Sequence, residues 1–202
     1  SLMIMITTPS NFATPGEVLL QNVTFSDITN LEPACGSGFW YNTTNSDSDT
    51  VTFNSCRFDT TYVYGNNNVM FGGGAIGIEY DECDNYNVVI TGCTFNNCKS
   101  ALYPGGGIAI RTRKSVTITD CIFEKTTCPE NKASRPNLGS VIRVEYYENI
   151  GVFQVHNVTI SNPGRTKGAI PGIYFITNKP ASFITSGINM TQVSSDSDAI
   201  AM

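Results

Sequence analysis

Few side chains in this sequence are placed to do chemistry, and the best of them fall in one row. Aligning the stretches Gly73–Tyr80 (GGAIGIEY), Gly106–Arg113 (GGIAIRTR) and Gly139–Tyr146 (GSVIRVEY) on their apolar alternation puts Glu79, Arg111 and Glu145 at one position. Gly77, Ala109 and Arg143 share another. A carboxylate here would serve as a general base or a calcium ligand, and an arginine would pair with an anionic group. Glycoside hydrolysis usually takes two carboxylates at a set separation. Glu79 and Glu145, two repeats apart, would have backbones about 9.6 Å apart if repeats stack at the strand spacing. Arg111 between them is better explained by pairing. The row therefore reads first as a solvent-facing acid–base–acid ladder, in which each pair contributes roughly 0.2–1 kcal/mol.

The other candidates are weaker. The only histidine, His156, sits in HNVT and reads as a surface strand residue. Asp47-Ser48-Asp49 and Asp196-Ser197-Asp198 are too few oxygens for a hard cation that needs six to eight, and read as polar turns. Trp40 and the tyrosines at 62, 64, 103, 146 and 147 could stack on sugars but read as packing. No P-loop, dinucleotide fingerprint, GxSxG or HExxH occurs. No cofactor or metal site is expected.

The elements that must hold these residues come from a repeat. Six segments share one template: Val18–Phe25, Val51–Phe58, Val88–Phe95, Val116–Phe123, Phe153–Ile160 and Phe183–Met190. Their starts step by 33, 37, 28, 37 and 30 residues, the range of stacked solenoid units. Apolar residues alternate, which is the strand period. The alternation breaks at the fifth position: Asn22, Ser55, Gly92, Asp120, Asn157 and Gly187. Gly, Asn and Asp tolerate positive φ best, so one left-handed corner should bend each segment into two short strands. Between these segments come the glycine-led strands that hold Glu79, Arg111 and Glu145. A three-strand unit cannot bury its apolar face alone and must stack.

This arrangement resembles the right-handed parallel β-helix of the pectin-lyase-like superfamily. The features that carry it are the three-strand unit and the Asn/Gly/Asp corner between its second and third strands. It is also similar, through Gly73-Gly74-Ala75-Ile76, to the GGA(I/L/V) repeats of chlamydial polymorphic membrane proteins, although their FxxN motif is missing. The expected fold is all-β: a single-stranded parallel β-helix of about six coils, one domain over residues 1–202. The resemblance implies a substrate or ligand groove along the first-strand face, with Glu79, Arg111, Arg143 and Glu145 as its binding residues. One implied function is a polysaccharide lyase or hydrolase acting on acidic polysaccharide, but the polygalacturonase-type motifs NTD, DD, GHG and RIK are absent. The favoured reading is a non-enzymatic extracellular or cell-surface module that displays loops for a carbohydrate or cell-surface ligand.

Composition limits the alternatives. Of 202 residues only 14% are charged and the net charge is −5, which opposes a nucleic-acid groove. No apolar run reaches the ~20 residues of a helical membrane span. Cys56, Cys93 and Cys121 share the template position after the corner and read as a column of buried thiols. Cys98 and Cys128 follow third strands, in loops, where they could pair; Cys35 and Cys83 have no assignment. Sequons at Asn22, Asn42, Asn157 and Asn189 permit glycosylation, two of them at corners. Leu2–Ile6 and Ala199–Met202 look like uncapped coil fragments, so the chain reads as an excerpt of a longer solenoid that meets further coils or subunits end to end.

Overall fold

In a computed structural model, described for residues 4–8, 17–31, 36–43, 50–64, 72–80, 86–101, 105–127, 141–146, 151–163, 172–177, 181–192 and 200–201, the chain is a parallel β-solenoid. No helix occurs among the described residues. Successive coils contain β1, β2 and β3 (Ile4–Thr8, Glu17–Gln21, Thr24–Asn30), then β4, β5 and β6 (Phe39–Thr43, Thr50–Asn54, Arg57–Val63). Next come β7, β8, β9 and β10 (Ile76–Tyr80, Asn87–Thr91, Thr94–Asn96, Lys99–Ser100), and β11, β12 and β13 (Ile108–Arg111, Val116–Thr119, Ile122–Glu124). The chain continues through β14 and β15 (Ile142–Tyr146, Val152–Ser161), β16 and β17 (Ile173–Thr177, Ser182–Thr191) and β18 (Ile200–Ala201). The first strands stack as one seven-stranded parallel sheet, one row more than the six template segments. Those segments form the second, bent sheet.

The corner explains the bend. Asn22, Ser55, Gly92, Asp120, Asn157 and Gly187 all have φ between 49° and 64°. A second left-handed residue follows each corner after five positions, at Asp27, Thr60, Asn97, Lys125, Asn162 and Gln192. It turns the third strand toward a further inward residue, buried in five coils as Ile28, Thr61, Cys98, Thr126 and Pro163. β3 and β6 accordingly run on through this turn to Asn30 and Val63.

The core is a set of columns, one residue per coil. Phe25, Phe58, Phe95 and Phe123 stack with ring centroids 4.8, 5.0 and 4.5 Å apart and planes within 4° of parallel. That separation is close to the strand spacing, so each ring contacts the next. Cys56, Cys93 and Cys121 form the neighbouring column, buried and reduced. Cys98 is also a buried free thiol, not a loop residue, because the second corner at Asn97 turns it inward. Cys35, Cys83 and Cys128 lie outside the described residues.

The two glycines that open the first strands are there for close approach. A Cβ on Gly73 would lie 1.8 Å from the Ile76 carbonyl oxygen, and one on Gly74 would lie 1.7 Å from that of Gly106 in the next coil. The innermost row at the far end is less covered. Phe153, Val158 and Ile160 of β15 are fully buried, whereas their partners on β17, Phe183, Ile188 and Met190, are only half-buried. Among the described residues β17 pairs on one side only, with β15.

Candidate functional site

The first-strand sheet brings the sequence candidates together by register. Arg111 on β11 faces Glu145 on β14, and Ala109 faces Arg143. Alternation puts Arg111, Arg143 and Glu145 on the outer face, opposite Ile110 and Val144, which are buried in the core. Glu79 occupies β7, in register with Asn42 of β4. The side chains of Glu79 and Asn42 lie outside the described residues.

Glu145 is the centre of the cluster. Its Oε2 accepts from Arg111 Nε at 3.0 Å and lies 2.9 Å from Arg111 Nη2. Its Oε1 meets Arg143 Nη2. The expected pairing is present, but the expected solvent exposure is not: the Glu145 side chain is 0% exposed, and those of Arg111 and Arg143 are 14% and 12% exposed. A lone carboxylate at such a depth would pay a large desolvation cost. Two guanidiniums, one per oxygen, offset that cost and make the contact between coils charge-assisted.

Two buried tyrosines brace this cluster: Tyr146, which the sequence already marks as packing, and Tyr86, which it does not single out. Tyr86, fully buried, donates its hydroxyl to the Arg111 carbonyl at 3.1 Å, and Thr112 Oγ1 donates back to the Tyr86 carbonyl at 2.7 Å. Together they fix the end of β11 where Arg111 leaves it. Tyr86 also meets Tyr41 edge-on at 5.5 Å. Tyr146, next to Glu145, donates to the Val152 carbonyl at 3.2 Å, and burial holds its phenol well above the usual range. Gly151 makes room for that ring: a Cβ there would come within 2.3 Å of it. The signal was available in part, since Tyr146 follows the strand alternation one step beyond Glu145.

Tyr174 on β16 stands in register beside Arg143. Burial raises its pKa, and the neighbouring Arg143 partly opposes that rise. A cavity of about 550 Å³ lies next to it, lined by Tyr174, Phe175, Ile176, Thr177, Ala181 and Phe183. No charged side chain is among these lining residues.

The remaining candidates are scattered. His156 points outward from β15, with Nδ1 2.7 Å from Ser186 Oγ. Asn22, Asn157 and Asn189 are exposed, and Asn157 donates its amide to Asp120. Asp47, Asp49, Asp196 and Asp198 lie outside the described residues. Among the described residues no three His, Cys, Asp or Glu side chains converge as metal ligands would. No helix among them is long and apolar enough to cross a membrane.

No family profile, curated protein sequence or solved structure matches this chain.

Proposed function

We propose that this chain is a non-enzymatic β-helix module of an extracellular or cell-surface protein. In this reading it displays its loops to a carbohydrate or cell-surface ligand and stacks with further coils or subunits through the β17 end. The repeated three-strand coil with its left-handed corner supports kinship with the pectin-lyase-like β-helices. The half-buried Phe183, Ile188 and Met190 on β17 support stacking at that end.

One observation carries the non-catalytic reading. Glu145, the acidic residue best placed for chemistry on the first-strand face, is fully buried and held by two arginines. A general acid or base must reach a proton on the substrate, and this carboxylate faces protein on both oxygens. Arg111 and Arg143 are both engaged by this one carboxylate. The expected role of the cluster is to tie β11 to β14.

Incubation with a panel of polyuronides, with and without calcium, tests the reading. No unsaturated product and no new reducing ends are expected. Turnover by the wild type that disappears in a folded Arg111→Ala variant overturns it.

A further inference from the structure

The outer face of the second strands differs from the other two faces. Its middle column, in continuous register, is Leu19, Thr52, Val89, Thr117, Gln154 and Ile184. The columns on either side contain Ser, Thr, Asn and Gln apart from Glu17, Val152 and His156. Glu17 is the one formally charged residue in the three columns, and it stands in the end row. The third-strand face, by contrast, carries Arg57, Asp59 and Glu124, and the first-strand face carries Arg111 and Arg143. No outward residue of these columns is buried, so the face is open.

Two large apolar side chains are conspicuously exposed on this face: Leu19 at 54% and Ile184 at 44%. They occupy the two ends of the same middle column. A two-fold axis lying in the interface plane, parallel to the strands and midway along the stack, exchanges the first row with the sixth. It would set Leu19 of one copy on Ile184 of the other, Thr52 on Gln154, and Val89 on Thr117. Isologous contacts require this kind of self-complementarity. Glu17 would fall opposite Ser182, so no like charges meet.

We infer that the second-strand face is a docking surface for a second copy of this chain, packed face to face with the two coil stacks antiparallel about that two-fold axis. The size is adequate. Six rows at the strand spacing and three columns of alternate residues cover about 600 Å² per copy, or about 1,200 Å² in total, the lower end of stable interfaces. Lack of charge keeps the desolvation cost low, and the flat array of short side chains lets two sheets approach closely. This contact is lateral and independent of the β17 end.

Cross-linking tests both the contact and its direction. In Thr52→Cys/Gln154→Cys the two new thiols are three rows, about 14 Å, apart within one chain and again between copies stacked end to end, beyond disulfide reach. Mild oxidation should therefore give a covalent dimer with 52–154 links between copies, mapped by mass spectrometry. No covalent dimer, or only 52–52 and 154–154 links, overturns the inference. Sedimentation equilibrium gives a second readout. Thr117→Arg, at the centre of the face, should weaken dimerisation at least tenfold, while Thr94→Arg on the third-strand face should leave it unchanged. A wild type that stays monomeric, or equal loss in both variants, contradicts it.

Discussion

Asp120 and Asn157 stand at the same corner of successive coils, and the Asn157 amide donates to the Asp120 carboxylate, Nδ2 to Oδ1, at 2.6 Å. Both backbones are left-handed, with φ of 55° and 49°. Each of these two corners is thus favoured twice, by a residue that tolerates positive φ and by a side-chain contact along the stack.

The corner gives the first prediction. A Cβ on Gly92 would meet nothing closer than 3.5 Å, so a side chain fits and only the backbone objects. Gly92→Val should therefore cost about 1–2 kcal/mol, the penalty of a left-handed non-glycine residue. Thr60 is the reverse case, a β-branched residue already at φ 53°. Thr60→Gly should cost nothing or stabilise. Urea denaturation of both variants checks the ordering, and a larger loss at Thr60 than at Gly92 would contradict the corner assignment.

The phenylalanine ladder gives the second. Phe95 has a stacked ring on each side, Phe58 and Phe123, and is fully buried. Phe95→Ala should cost about 3–5 kcal/mol. Phe25 ends the ladder with a single stacked neighbour, Phe58, so Phe25→Ala should cost less. Equal losses at the two sites would show that the ladder does not act as a stack.

The thiols give the third. Burial pushes Cys98 up to about 12, and hydrogen bonding to Cys121, with burial, does the same to Cys93. In the unfolded chain these thiols titrate near 8.5. A folded pKa above the unfolded one means stability is intact below pH ~8.5 and falls as pH rises toward 12. Cys98→Ala should flatten that alkaline decline. At neutral pH, labelling of Cys56, Cys93, Cys98 and Cys121 should proceed only through unfolding, which timed labelling in urea resolves. Fast labelling of the native protein at all four would be inconsistent with their place in the core.

Much of this architecture was readable because solenoid physics is local. Alternation at Val88–Phe95 and the break at Gly92 identified two strands and a corner, and the same pattern recurred five more times. The second corner was missed because only Asp27, Asn97 and Asn162 of its six residues are of the types that favour positive φ, while Thr60, Lys125 and Gln192 carry no such signal. Cys98 was misplaced for that reason. At the candidate site, alternation correctly set Arg111, Arg143 and Glu145 on one outer face. It could not show their burial, because outward on a strand is not the same as exposed. That depends on contacts such as Tyr86 to Arg111, which span 25 residues and leave no periodic trace.

The most direct measurement is a double-mutant cycle on Arg111→Ala and Glu145→Ala, read as folding stability at low and moderate salt. If the cluster ties coils together inside the protein, each single variant should cost about 3–5 kcal/mol. Their coupling should then be about 2 kcal/mol or more, within the range for residues in direct contact, and salt should change it little, since buried pairs are weakly screened. A coupling below about 0.5 kcal/mol that salt abolishes would mark an exposed surface pair, and would return both side chains to solvent, where they could meet a ligand.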